Sequence, residues 1–265
     1  MYTVVLGDLP EWSSARSCVH CTYWRRIIGT TAVPGLCESV IMAIRVRTAA
    51  GTVHGGRDDG IAVFRGVPFA APPVGPHRFA APAPVVPWDG VRDVTAFGPP
   101  PPQPGRPTVG DDWLTLAIRT PSLGRTGLPV IVWLIGGGYL NCDNANPHLD
   151  GTTLARAGAV VVSAHYRSGF EGFAHIAGAP DNRALLDQLA VLRWVYDNIT
   201  ALGGDPANVT VLSQSAGAGS IAALLVMPAA TGLFRRAILQ SIPATYFSPD
   251  LATAIATEIT AELGR

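Results

Sequence analysis

A serine that could act as a nucleophile stands in the stretch "SQSAGAGS", Ser213 to Ser220. The apolar run "VTVLS" precedes it and the helical pattern "AGAGSIAALLVM" follows. A serine on a sharp strand-to-helix turn presents its hydroxyl, and small neighbours let strand and helix approach; the pattern for such a turn is G-x-S-x-G. Residues 213–217 fit four of its five positions, with Ser213 in place of the first glycine. A second chemistry fits the same letters. Gly217-x-Gly219-x-x-Ala222 matches the G-x-G-x-x-G/A cradle for a dinucleotide. That cradle needs an acidic residue about 20 positions on, where "RAILQS" offers only Gln240. A third reading is a small-residue helix packing on a sheet.

Acyl transfer at Ser215 needs donors aimed at the developing oxyanion. The N–H of the residue after the serine, Ala216, is one. A glycine-rich loop after an earlier strand supplies the others, and Gly136–Gly138 follow the buried-strand run "LPVIVWLI". The candidate oxyanion donors are therefore Ala216 and the stretch Gly136–Gly138. A phosphate role for "GGGYL" lacks the G-K-[ST] that should follow.

These groups must be carried by a sheet. "LPVIVWLI" and "AVVVSA" (159–164) are continuous apolar runs of strand length, as expected of strands covered on both faces. Residues 182–201 carry Leu185, Leu186, Leu189, Leu192, Val195 and Ile199 at helical spacing, with Asp181 or Asn182 placed to cap the start and Gly203 past the end. "VTVLS" is a third strand and "RAILQS" a fourth. Strands alternating with helices predict a parallel sheet with right-handed crossovers, and sites form at the carboxyl ends of its strands. Upstream, "MAIRVRTAAGTVHG" alternates like a strand leading to a turn, and "FGPPPPQPGRP" reads as an extended surface loop.

Composition bounds the function. Of 265 residues, 48% are hydrophobic and 14% charged, enough for a sizeable core. Lys+Arg and Asp+Glu both number 19, so no basic excess points to nucleic acid. No transmembrane run occurs, and "IAALLVMPAA" is short and broken by Pro228. Localisation stays open, with the cytoplasm as default. Cys18 and Cys21 have zinc-knuckle or redox spacing, but only Cys37 follows nearby, which does not complete a site. No cofactor and no metal is called for. Residues 1–41 read as an extension outside the fold.

From about residue 43 the sequence resembles the type-B carboxylesterase family, which includes the cholinesterases. The resemblance is carried in order by "FRGVPFAAPPVGPHRF", "FGPPPPQ", "DDWLTLAI", "LPVIVWLIGGGYL", "APDNRALLDQLAVLRWVYDNI" and "LGGDPANVTVLSQSAGAGSIAALL". It implies an α/β-hydrolase fold, a mostly parallel sheet flanked by helices, and hydrolysis of a small carboxylic ester through an acyl-enzyme on Ser215, with Gly137, Gly138 and Ala216 as the oxyanion hole.

This sequence departs from the family in several places. Ile135 stands where many members have His, Gln214 where Glu is usual, and Pro101 and Trp113 where many have a disulfide. The family order is nucleophile, acid, then His. Fifty residues follow Ser215, and all six histidines (His20, His54, His77, His148, His165, His175) precede it. The chain therefore reads as the N-terminal portion of the fold, residues 42–265, incomplete at the C-terminus and lacking the acid and base. A second chain could supply them. His165 lies near the correct sheet edge but reads as a local hydrogen-bonding residue. The rival readings are a catalytically inactive hydrolase-like binding protein or decayed fragment, and a nucleotide-binding protein using "GAGSIA".

Overall fold

The computed structural model describes residues 44–265 apart from Thr108, Thr245, Leu263 and Arg265. The cysteine cluster at 18–37 and the proposed extension 1–41 lie outside the described residues. The strands are β1 (Ile44–Arg47), β2 (Thr52–Asp58), β3 (Ile61–Pro68), β4 (Val91–Asp93), β5 (Thr115–Thr120), β6 (Leu128–Leu134), β7 (Val160–Ala164), β8 (Gly204–Gln214) and β9 (Arg236–Gln240). The helices are α1 (Thr152–Arg156), α2 (Gly169–Phe173), α3 (Arg183–Asn198), α4 (Ala216–Val226) and α5 (Pro249–Glu262).

The sheet runs β1-β2-β3-β5-β7-β6-β8-β9, with β4 beside β2. Parallel pairing holds β7, β6, β8 and β9 together, the part built from the strand–helix alternation. From β7 outward through β5, β3, β2 and β1 every pairing is antiparallel. The β2–β3 hairpin turns on Asp59 (φ 48°) and Gly60 (φ 84°), the Asp-Gly pair whose left-handed backbone matches strand twist. The register of β3 against β5 shifts between Arg65 and Val67, around Gly66 with φ 72°, a bulge that bends the strand.

β6 leads through α1 to β7 on one side; β8 leads through α4 to β9 on the other. β6 and β8 are neighbours, so connections leave them in opposite directions and open a crevice at their carboxyl ends. Val130, Val132 and Leu134 of β6 join Leu189, Leu192 and Val195 of α3 and Ile221 of α4 in the main core. On the opposite face Ile61, Val63, Val161 and Ala155 of α1 form a smaller cluster. Trp133, Leu212 and Ile238 share that second face by register, and Ile238 is 47% exposed.

Two local expectations change. Neither Asp181 nor Asn182 caps α3 by its side chain: Asn182 sits at the cap in left-handed backbone (φ 50°) without a cap bond, and Asp181 pairs instead with His175 Nδ1 at 2.9 Å. The helix ends in a 3-10 turn, Ile199–Leu202, before Gly203 with φ 89°. The proline loop is not purely extended or superficial: Gln103 and Arg106 bridge across a turn at Gly105 (φ 74°). Pro101 is buried, the Gln103 amide accepts from Cys142 N–H at 3.2 Å, and Arg106 pairs with Asp143 at 2.5 Å. The loop thereby braces the chain segment that follows the three glycines.

Candidate functional site

At the end of β8 the chain reverses through Ser215, whose backbone (φ 58°, ψ −130°) is one that side chains other than hydrogen rarely adopt. Its N–H donates to Gln240 O at 2.9 Å, tying the turn to β9, and its carbonyl accepts from Gly219 N–H at 3.0 Å. The Ser215 side chain makes no cap bond to the helix and is exposed, so its hydroxyl is free. Close approach at this turn needs Gly217. A β-carbon there would lie 2.7 Å from Leu134 O and 3.1 Å from Ile135 O, and would also collide with Ser213 Oγ. Ser213 thus fits in place of the pattern's first glycine because Gly217 leaves its hydroxyl room.

Across the crevice, Gly136 packs its α-carbon on the Gln214 carbonyl; a β-carbon there would sit 3.7 Å from Ser215 Cβ. Gly137 approaches the Asn141 carbonyl closely enough that no side chain fits, and Gly138 takes φ 63°. Among the described residues, the N–H groups of Gly137, Gly138 and Ala216 find no backbone acceptor. Ile135, where a histidine would have suggested chemistry, is 2% exposed and packs with Cys142, Tyr166 and Ala184 under the loop. Its carbonyl accepts a hydrogen bond from the Tyr166 hydroxyl.

A cavity of about 510 Å³ lies over these groups, lined by Gly136, Gly137, Gly138, Ser215, Gln214 and Gln240, with Trp133, Leu149, Leu212 and Ser213. Among the described residues no imidazole or carboxylate lines it. His165 is fully buried; its backbone N–H donates to Thr115 O at 2.9 Å, and its ring lies 3.7 Å from Asp143. Burial pushes the His165 imidazole below its ordinary range, against the pull of Asp143. Asp143 is held well below the usual carboxylate range by His165 first, then by Ala145 N–H and Arg106, with burial opposing.

Several supporting residues escape sequence reading. Arg167 and Asp187, both fully buried, pair through Nε (2.9 Å) and Nη2 (2.7 Å) while Arg167 N–H also donates to Asp187 at 2.9 Å. Arg183 Nε donates to Glu171 O at 2.8 Å and its Nη1 to Pro180 O at 2.8 Å. These ions fix the loop after β7 against α3. Their signal is faint: "HYRSGF" carries a cation beside an apolar strand, but its acidic partner lies 20 residues on. The glycine spacing that suggested a nucleotide cradle has another occupant, since a β-carbon at Gly219 would collide with the Tyr139 hydroxyl. Among the described residues no group of three or more His, Cys, Asp or Glu could hold a metal ion, and no helix is long and apolar enough to cross a membrane.

Known proteins share this arrangement of strands and turns. Residues 42–264 match the carboxylesterase family. A phenmedipham hydrolase of Pseudarthrobacter oxydans is 46% identical over 210 residues, 74% of this chain and 42% of that protein. A para-nitrobenzyl esterase of Bacillus subtilis is 44% identical over 210 residues, 74% of this chain and 43% of that protein. The solved structure of a PNB esterase superposes with a TM-score of 0.79 at 43% identity, covering 83% of this chain and 48% of its own. A Geobacillus stearothermophilus carboxylesterase gives 0.80 at 41%, with the same coverage of 83% and 48%. The chain spans about half the length of the relatives it matches. The fold is that of the α/β-hydrolases, with its sheet antiparallel at one end and parallel where the crevice opens. By the match over residues 42–264, the chain belongs to the carboxylesterase family.

Proposed function

We propose that this chain carries the nucleophilic half of a serine carboxylic ester hydrolase. Ser215 is the nucleophile, and the N–H groups of Gly137, Gly138 and Ala216 receive the oxyanion. The observation that supports the reading most is the meeting of a strained, exposed serine with a glycine loop, packed within contact distance across one crevice. A general base takes the Ser215 proton as Oγ bonds to the ester carbon, and the carbonyl electrons move onto oxygen, where the free N–H groups face them. Collapse breaks the carbon–oxygen bond to the alcohol, which leaves with the proton. Water then repeats the sequence on the acyl-enzyme and frees the acid. Losing one such donor costs about 10²–10³ in rate in a comparable hydrolase.

The base and its acid partner come from polypeptide beyond the described residues, either continuous with this chain or supplied by a second one. A serine hydroxyl without a base is a poor nucleophile. An oxyanion site alone retains only about 10³–10⁴-fold over water in a comparable protease. The 265-residue chain by itself is therefore expected to be nearly inactive on p-nitrophenyl butyrate. Co-expression with the remaining half of a relative should restore turnover, and Ser215→Ala should abolish it. Strong hydrolysis by the chain alone, lost in Ser215→Ala, would overturn the two-part reading. A cavity without a lining imidazole among the described residues favours one rival, a binding protein of the same fold. That rival gains if a fluorophosphonate fails to label Ser215 in the complemented protein.

A further inference from the structure

Tyr139 follows the three glycines directly and is held by three contacts. Its backbone is left-handed (φ 62°), a conformation costly for an aromatic residue. Its carbonyl accepts from Gly169 N–H, at the start of α2, at 2.6 Å. Its ring meets Phe173 of α2 edge-on, with centroids 5.0 Å apart and planes at 74°. Its hydroxyl occupies the space beside Gly219 in the first turns of α4, where Pro243 Cγ would be 3.2 Å from an added β-carbon.

We propose that Tyr139 is a positioning residue: anchored on α2 and seated against Gly219 of α4, it sets the distance between the glycine loop and Ser215. This rests on the esterase reading of that loop. Gly138 and Tyr139 turn the backbone in the left-handed sense one after the other, so a shift of the ring is passed straight to the N–H groups of Gly137 and Gly138. Gly219 accordingly lacks a side chain to make room for a phenol, and the cradle-like spacing needs no nucleotide.

The contact has a specific genetic signature. Helix propensity alone predicts that Gly219→Ala stabilises. The structure predicts the reverse, because a β-carbon fits only if the half-buried phenol gives up its edge-on contact with Phe173. The next atoms met beside Gly219 are Pro243 Cγ at 3.2 Å and Pro243 Cδ at 3.5 Å. Removing only the hydroxyl by Tyr139→Phe therefore lifts the one contact under 3.0 Å and leaves Pro243 to give by a few tenths of an ångström. Urea midpoints, and amide exchange at Leu140 and Asn141 (bonded to Gly137 O) and at Gly169 (bonded to Tyr139 O), are to be measured on the 15N-labelled chain for both single variants and the double. Gly219→Ala should lower the midpoint and speed exchange at these three bonded amides by about tenfold or more, and the double variant should restore both. In the complemented protein Gly219→Ala should lower kcat with KM little changed, and Tyr139→Phe should rescue it. If Gly219→Ala fails to fold, recovery of folding in the double variant supports the contact. A raised midpoint in Gly219→Ala, unchanged exchange at Leu140, Asn141 and Gly169, or a double variant no better than the single would overturn the proposal. Absence of Ser215-dependent turnover in the complemented parent would instead count against the esterase reading, leaving exchange to decide on Tyr139.

Discussion

Replacing Ser215 by glycine should remove the nucleophile and stabilise the protein. The backbone at Ser215 (φ 58°, ψ −130°) is close to a region that only glycine enters freely, and holding another residue there costs about 1–3 kcal/mol. The serine recovers little of this locally, since its side chain makes no cap bond and is exposed. A glycine relieves the strain but adds unfolded-chain entropy worth about 0.4–1 kcal/mol. The net expectation for Ser215→Gly is a gain of about 0.5–2 kcal/mol. Ser215→Ala keeps the β-carbon and hence the strain, so it should change stability by less than about 0.5 kcal/mol. Urea unfolding of the three proteins, followed by circular dichroism, separates the cases provided the m-value is unchanged. With m near 2 kcal/mol per molar, a 1 kcal/mol gain moves the midpoint by about 0.5 M. Both variants should lose any Ser215-dependent turnover. A Ser215→Gly midpoint no higher than that of Ser215→Ala would refute the claim that the turn stores strain.

Three further outcomes follow from the packing. Gly217→Ala forces a β-carbon against the carbonyls of Leu134 and Ile135, and should cost about 1–3 kcal/mol despite better helix propensity, read as a lowered urea midpoint. Arg167→Met strands the buried Asp187 carboxylate and should cost about 3–5 kcal/mol in the same assay. The pH dependence has a definite sign. Burial lowers the His165 pKa, so the unfolded chain binds the extra proton, and stability should fall as pH drops below about 6.5. Asp143, held low in the fold, adds a second loss below about pH 4 as the unfolded carboxyl protonates. Midpoints measured from pH 7.5 to 5 should slope downward in the parent and flatten in His165→Leu.

Backbone chemistry was the most legible part of the sequence. The apolar runs of β6, β7 and β8 and the helical spacing of α3 are read directly, but of the three strands β7 alone is buried throughout; β6 and β8 leave alternate residues such as Trp133 and Leu212 partly exposed, against the expectation that "LPVIVWLI" is covered on both faces. The turn at Ser215 was legible because its pattern specifies where side chains must be absent, and Gly217 is absent a side chain for that reason. The antiparallel half was less so. β3 pairs with β5 across some 50 residues of chain, and such pairing leaves no local trace, although Asp59-Gly60 carried a usable hairpin signal. Asn182 shows the limit of cap rules: a residue type that favours the cap position also favours left-handed backbone, which is what it uses here. Buried ions such as Arg167 and Asp187 invert the usual link between charge and exposure, so only the fold brings them into view.

The sheet face left partly uncovered among the described residues offers a test of where the rest of the site is built. Trp133, Leu212 and Ile238 form one row across β6, β8 and β9. α1 packs on that same face only near β7, β3 and β5. The first two of the row line the Ser215 cavity, and beyond Ile238 the edge of β9 is free among the described residues. A free edge beside apolar surface invites pairing with another chain. On the proposed reading this face receives the polypeptide that brings the base, so it must be apolar for function and is a liability without that partner. Ile238→Lys should then separate the two demands. For the chain alone it should reduce self-association, read by light scattering, because the charge points from an exposed edge strand into solvent. In co-expression it should block recovery of p-nitrophenyl butyrate turnover, because the docked lysine would be desolvated without a counter-charge. Undiminished recovery by Ile238→Lys would mean that the missing base reaches Ser215 without covering this row.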